Sequence, residues 1–319
     1  MNQPAVNFHD YLPDKNDFLA DVLEGLAKET KMIPPKYFYD ERGSELFDDI
    51  CRQPEYYPTR TEIGILQNNA HDIASHIGTE CMLIELGSGA SEKVRLLFDA
   101  LKPASYLGVD ISKEFLIKAT QQLALDYDWL EVHAVCADFS EQLELPGSCT
   151  NDPLVAFYPG SSIGNFEPRE AIQLLRQIAE TVGRDGKLII GIDLKKDISA
   201  LNAAYNDKAG VTADFNLNLL TRMRDELGAE LDESAFEHQA FFNEGQNRIE
   251  MHLVSTSQQK IHIGDNSFSF HPGESIHTEN SYKYDLESFS ELAGSAGFGI
   301  DAVWRDAKSY FGVLLLSRE

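Results

Sequence analysis

The sequence predicts an α/β chain built on a doubly wound, mostly parallel sheet, with a second, α+β part inserted late in the chain. Three observations carry that prediction. Residues 82–112, M-L-I-E-L-G-S-G-A-S-E-K-V-R-L-L-F-D-A-L-K-P-A-S-Y-L-G-V-D-I-S, read as strand, glycine turn, helix, strand and acid, in the length that one βαβ unit needs. Strand and helix patterns go on alternating as far as residue 194. From Lys195 to Tyr284 the alternation stops, and helices are followed by a run of strands.

Composition sets outer bounds. A chain of 319 residues is one large domain or two modest ones, with ample core. Hydrophobic content of 43% and charged content of 25% belong to a soluble globular protein. With 27 basic against 52 acidic residues the net charge is −25, which argues against nucleic acid or an anionic membrane as partner. The first residues carry no basic-then-apolar signal pattern, and no apolar run is long enough to span a bilayer. Cys51, Cys81, Cys136 and Cys149 are spread out and form no C-x-x-C, so they read as reduced thiols of a cytoplasmic protein.

Residues 17–30 suit a helix, with Asp17 as cap and Leu19, Val22, Leu23 and Leu26 as its apolar stripe. Pro34-Pro35 then forbids helix, and Tyr37, Phe38, Tyr39 and Phe47 make a dense aromatic group. Tyr56 and Tyr57 stand between two prolines. Such tyrosines either pack this segment onto the core or present hydroxyls to a ligand at low entropic cost. Residues 62–77 are helical. In the central unit, Val94, Leu97, Phe98 and Leu101 fall at helical spacing, with Ser91 as a candidate N-cap. Ser112 is placed to cap the next helix, with Phe115, Leu116, Ala119 and Leu123 on one face. Residues 131–136 form a strand ending at Asp138 and Phe139, with His133 as a structural residue within it. Residues 154–165, L-V-A-F-Y-P-G-S-S-I-G-N, are a strand broken by Pro159-Gly160 and followed by a turn holding Asn165. A helix at 169–182 and a strand at 187–194 complete the alternation. Beyond it come helices at 198–206 and 211–227, strands at 236–243, 248–256 and 259–263, a short strand flanked by Phe268 and Phe270, a helix at 286–297 and a closing pair of strands at 303–304 and 310–317.

The central unit suggests chemistry. Gly87 and Gly89 lack Cβ atoms and allow the backbone close to a ligand. Asp110, at the end of the second strand, can accept both hydroxyls of a ribose, 25 residues after Glu85. The turn is G-S-G-A-S rather than G-x-G-x-x-G, so a pyrophosphate cradle is disfavoured. Glu85 before it would repel a pyrophosphate and attract a cationic amino-acid end. Together these favour S-adenosylmethionine (SAM) over NAD, although an ordinary βαβ unit with a tight turn fits the same residues. Asp138 and Phe139 offer an adenine a carboxylate and a ring. Asn165 can orient a substrate nitrogen or oxygen, since its amide both donates and accepts. Glu279 and Ser281, two apart, share one side if extended, where a carboxylate beside a hydroxyl suits an imidazole or another N–H ring, or is simply a solvated surface.

Seven motifs taken together are more specific. P-P-K-Y-F-Y-D-E-R-G-S-E-L-F, P-E-Y-Y-P-T-R-T-E, E-L-G-S-G-A-S-E-K, S-S-I-G-N, A-Y-N-D-K-A-G-V-T-A-D-F-N, R-I-E-M-H-L and T-E-N-S-Y occur in that order from about residue 31 onward. The set resembles the histidine-specific Nα-methyltransferases, which make the trimethylated histidine hercynine for ergothioneine biosynthesis. The resemblance implies a Rossmann-like class I SAM methyltransferase domain, 61–195 with 286–319, and a substrate-binding domain, 1–60 with 196–285. It implies SAM held by Gly87, Lys93, Asp110, Asp138 and Phe139; Lys93, beside Glu92, equally suits a charge on a helix surface. It implies Tyr56 and Tyr205 on the histidine carboxylate, Asn165 orienting the α-amine with Tyr39 nearby, Glu279 and Ser281 on the imidazole nitrogens, and Phe47 and Met251 as walls. Asn280 and Tyr282 flank the ring-binding pair and bear on its aim. The expectation is a monomer that needs no metal. The alternatives are a SAM-dependent enzyme for another aromatic amino acid or amine, or a binding module that keeps the fold without catalysis.

Overall fold

The computed structural model describes residues 6–11, 16–140 and 153–318, with the side chains of 16 and 17 left aside. The cap expected at Asp17 and the thiol of Cys149 therefore lie outside the described residues. In chain order the elements are β1 (Val6–Asp10), α1 (Asn16–Ala27), α2 (Glu41–Arg52), α3 (Tyr57–Ile77), β2 (Met82–Leu86), α4 (Glu92–Leu101), β3 (Ser105–Asp110), α5 (Lys113–Asp126), β4 (Glu131–Cys136), β5 (Leu154–Tyr158), α6 (Pro168–Val182) and β6 (Lys187–Asp193). There follow α7 (Ile198–Ala204), α8 (Val211–Leu227), β7 (Phe236–Asn243), β8 (Arg248–Ser255), β9 (Gln259–Ile263), β10 (Asn266–Phe270), β11 (Ser275–Tyr282), α9 (Leu286–Gly294), β12 (Phe298–Arg305) and β13 (Phe311–Arg318). The chain divides into two compact units. One comprises Met1–Leu12, Pro58–Lys195 and Lys283–Glu319, the other Pro13–Tyr57 and Lys196–Tyr282.

The first unit is built on an eight-stranded sheet of order β1-β4-β3-β2-β5-β6-β13-β12. Strands β1 to β6 run parallel, and β13 returns antiparallel between β6 and β12. Parallel strands covered on both faces are mostly apolar, and β2 is buried at every residue, Glu85 included. Leu83, Leu97, Phe98, Tyr106, Phe157, Ile189 and Leu315 share its core. The order reverses between β2 and β5, and in such sheets the crevice outside the strand carboxyl ends at that reversal takes the ligand.

Several local details depart from the sequence-based expectations. Residues 6–10 are not part of the second unit: they add a parallel edge strand beside β4, with Val6 opposite Val132. A five-residue edge strand carries too little alternation to announce itself, and backbone pairing decides its place. Ser91 stands before α4 with φ +54° and makes no cap bond; its hydroxyl lies 3.2 Å from the Tyr106 hydroxyl instead. Ser112 likewise precedes α5 without a side-chain cap bond. Phe47 lies on a helix, α2, which Asp40 opens by accepting a hydrogen bond of 2.7 Å from the Gly43 N–H.

The second unit holds an antiparallel sheet of order β11-β8-β7 and the hairpin β9–β10. Helices α7 and α8 pack on β7, and α8 also on β8. On the outer edge of β11 the backbone of Lys31 and Ile33 bonds to that of His277, at 2.8 and 3.0 Å. Among the described residues no helix is long and apolar enough to cross a membrane.

Candidate active site

In the first unit the residues singled out from the sequence gather at the carboxyl ends of β2, β3, β4 and β5. Gly87 and Gly89 both turn with positive φ, +70° and +49°, a backbone that side chains resist. A Cβ on Gly87 would stand 3.6 Å from the ring of Phe139, so the turn and that ring face one another. Asp110 accepts from the N–H of Gly89 at 2.8 Å and of Ser112 at 2.9 Å. Burial raises its pKa above the usual carboxylate value, while these N–H bonds oppose the rise. Asp138 accepts from the Ser140 N–H at 3.0 Å, and Phe139 meets Tyr158 edge-on at 5.5 Å. Glycine turn, strand-end acid, and a second acid beside a ring form a set of backbone donors and carboxylate acceptors that fits a nucleoside with an amino-acid tail.

Lys93 is not a solvated helix charge. Its ammonium lies 2.7 Å from the carboxylate of Glu62, a residue wholly buried on α3. The same carboxylate accepts from the Gly160 N–H, at 3.0 and 2.9 Å. A Cβ on Gly191 would lie 2.1 Å from Glu62 Oε1, so a side chain there on β6 would have to displace the Glu62 carboxylate. Glu62 thus ties Lys93 to the turn that carries Asn165. That turn is strained, with Ser161 at φ +59°, and is braced where the Asp193 N–H donates to Ser161 Oγ at 2.8 Å. Asp193 in turn pairs with Lys283 at 2.8 Å, both groups fully buried.

Glu85 departs from expectation. It is 1% exposed and accepts at 2.6 Å from the Tyr106 hydroxyl. Burial pushes its pKa up to about 8, so near neutral pH it mostly holds its proton. Burial therefore works against the negative charge that the sequence suggested for a cationic ligand end. His133 is buried inside the sheet, its Nε2 3.2 Å from Glu131.

In the second unit, Tyr39, Phe47, Tyr56, Tyr205, Met251, Glu279 and Ser281 come together. Phe47 meets Tyr39 at 5.7 Å and Tyr56 at 6.2 Å, and Tyr56 meets Tyr205 at 6.2 Å. Phe215 on α8 completes the group, 5.7 Å from Tyr39 and 6.1 Å from Phe47. In the sequence Phe215 stands within the A-D-F-N of the fifth ordered motif, which is the signal it carries. Burial raises the Tyr56 pKa well above the ordinary value, helped by Tyr205, Cys51, Tyr39 and Glu279, so its hydroxyl keeps a proton to donate. Tyr205 donates to Ser281 Oγ at 2.7 Å, and Glu279 stands opposite Met251 in the β11–β8 register. Asn165 belongs to the first unit and Tyr39 to the second.

The doubly wound sheet with its antiparallel closing strands has the architecture of the class I SAM-dependent methyltransferases. Comparison with known proteins narrows this. The family described as "Histidine-specific methyltransferase, SAM-dependent" matches residues 18–318. A histidine N-alpha-methyltransferase of Mycolicibacterium smegmatis is 40% identical over 93% of this chain and 94% of its own length. "Ergothioneine biosynthesis protein 1" of Neurospora crassa is 30% identical over 90% of this chain and 33% of its own. A 4-dimethylallyltryptophan N-methyltransferase of Aspergillus fumigatus is 28% identical, over 89% and 88%. The chain belongs to the SAM-dependent, histidine-specific methyltransferase family.

Proposed function

We propose that this chain transfers methyl groups from SAM to the α-amine of L-histidine, three in succession, giving hercynine for ergothioneine biosynthesis. The observation that carries the choice of substrate is the Tyr205–Ser281–Glu279 arrangement in an aromatic surround. A neutral imidazole has one N–H and one bare ring nitrogen. The Glu279 carboxylate accepts from the first. Ser281, as the acceptor of the Tyr205 proton, turns its own O–H to the second. Tyr205 then sets the polarity of Ser281 and, having one proton, has none left for the carboxylate that the resemblance gave it; Tyr56, which keeps its proton, donates to that carboxylate.

On this reading SAM supplies an electrophilic methyl, and Gly87, Lys93, Asp110, Asp138 and Phe139 bind it. Methyl transfer from a sulfonium asks chiefly for geometry, and alignment of reactants is worth ~7–11 kcal/mol of barrier. The amine must be neutral to attack. Asn165 accepts from its remaining N–H groups and orients its lone pair, with Tyr39 assisting. Phe47 and Met251 wall the ring. The proposal needs no metal and no macromolecular partner, and takes the enzyme as a cytoplasmic monomer.

The test is mass spectrometry of the purified protein incubated with SAM and all twenty amino acids. Histidine carrying three added methyl groups is the expected product. A methylated product of another amino acid would retain the SAM site and remove the assignment of Glu279 and Ser281.

A further inference from the structure

Glu279 and Ser281 face inward because the strand that carries them is out of step. Along a regular strand, successive side chains point to opposite faces. In β11, Ile276, Thr278, Glu279 and Ser281 are buried, whereas His277 and Asn280 are only half-buried. Thr278 and Glu279 are buried in succession at a β-bulge. The pairing with β8 shifts at the same place: His277 stands opposite His252 and Glu279 opposite Met251, with Thr278 as the extra residue. A one-residue slip moves a whole set of side chains to the other face. Without the bulge, Glu279 and Ser281 would share the face of His277.

Three contacts fasten this bulge. The His277 ring nitrogen Nε2 lies 3.1 Å from the carbonyl oxygen of Glu279; since a carbonyl only accepts, that nitrogen carries the proton. The Thr278 hydroxyl lies 2.8 Å from Asn216 Oδ1 and 3.1 Å from the Met251 carbonyl, two acceptors for its one proton. The backbone of His277 is held from the outer edge by Lys31 and Ile33.

The ring itself is set by its neighbours. It stacks on His252 at 4.7 Å, and His252 stacks on Phe241 at 5.4 Å. Burial lowers the pKa of both histidines. Glu250, His252 and His277 also bring three potential metal-ligand atoms within 4.8 Å of one another. Glu250 is nevertheless bridged by the Arg248 guanidinium at 2.7 Å, and rings only 16° from parallel aim their in-plane lone pairs poorly at one ion. The cluster is a hydrogen-bonded stack rather than a cation site.

We propose that His277 is a positioning residue for substrate recognition: its ring N–H, bonded to the Glu279 carbonyl, locks the bulge that turns the Glu279 carboxylate and the Ser281 hydroxyl inward. The proposal rests on the roles given above to those two residues. It is tested on the full chain with His277→Phe, His277→Gln, Glu279→Ala and the double variant His277→Phe/Glu279→Ala. Steady-state kinetics give KM and kcat for histidine, and equilibrium binding gives the Kd for SAM. Phenylalanine keeps a ring on His252 but has no donor, whereas glutamine keeps a donor.

His277→Phe should raise the histidine KM about tenfold, with His277→Gln within about threefold of wild type and the SAM Kd unchanged in both. In the Glu279→Ala background, His277→Phe should add little, because the two act as one unit. Equal KM changes in the two His277 variants, or full additivity in the double variant, would overturn the proposal. A large effect of Glu279→Ala with none from His277→Phe would overturn it and leave the Glu279 reading standing. No effect of Glu279→Ala would overturn both. If His277→Phe does not fold, His277→Leu, which likewise lacks the ring N–H donor, takes its place with the same outcomes.

Discussion

The candidate SAM residues and the candidate substrate residues are held by different means. In the first unit the anchors run from carboxylates and a hydroxyl to main-chain N–H groups: Asp110 to Gly89, Glu62 to Gly160, Ser161 to Asp193. In the second unit, beside the bonds of His277 and Thr278 to main-chain carbonyls, side chains hold side chains: Tyr205 to Ser281, Thr278 to Asn216, Asn216 to His238 at 2.9 Å, and rings to rings. Main-chain anchors fix a turn whatever residues flank it, so the site survives as a short local motif. A network of side chains depends on which residues several strands and helices bring together, and each loss is felt by its neighbours.

The largest effect should come where the first kind of anchor is also a buried charge. Glu62→Ala leaves Lys93 and the Gly160 N–H without their carboxylate, and losing one partner of a buried pair costs ~3–5 kcal/mol. Glu62→Gln, which keeps an acceptor for Gly160, should lose less. Chemical denaturation measures both, and a loss below ~1 kcal/mol for the alanine variant would show that the main chain alone holds the turn.

A pH series on Glu85 sharpens the same side. Its folded pKa of about 8 lies above the ordinary 4.5, so the folded state keeps a proton that the unfolded state releases between those values. Stability should be fullest below the lower value and fall as pH rises through the higher one, by on the order of a few kcal/mol. Glu85→Gln should flatten that slope in denaturation midpoints taken across the window. An unchanged slope would place the titration elsewhere.

The second unit answers in binding rather than stability. Glu279→Ala should raise the histidine KM ~10–150-fold, the loss expected for a hydrogen bond to a charged group, with SAM binding unchanged. Parallel losses for both substrates would break the separation between the two sets of residues. Asp285, outside both sites, sets the scale for an ordinary contact. It caps α9 by accepting from the Ser288 N–H at 2.8 Å, and Lys195 stands at the same distance. Those partners, Lys195 foremost, hold its carboxyl well below the usual range, so its contribution is present at neutral pH and fades as pH falls below the ordinary carboxylate value. Asp285→Ala should cost ~1 kcal/mol and leave both kinetic constants alone.

Much of the first unit was legible in the chain. Strands β2 and β3 read as mostly apolar runs, interrupted in β2 by Glu85 and ending at Gly87 and Asp110, because a parallel strand buried on both faces has no solvent-facing side. Asn165 stood out through the proline and glycine that break β5 from its turn. Glu62 escaped notice because a carboxylate on a helix looks solvated until the fold buries it. Edge strand β1 escaped because nothing in five residues names the strand they will join. In the second unit, Glu279 and Ser281 were legible only as a pair two apart, and which face they took depended on Thr278 lying between them and the regular part of the strand.

Local patterns in the sequence sufficed for the βαβ alternation, the glycine turn, the strand-end acid and the break in pattern after residue 194, because each is a property of consecutive residues. The ordered motifs sufficed for the family. Tertiary structure alone decided that Glu85 is buried with its pKa raised, that Lys93 is paired with Glu62, and that a bulge at Thr278 turns Glu279 inward. Those outcomes depend on burial, on partners far apart in the chain and on strand register, which no stretch of sequence contains by itself.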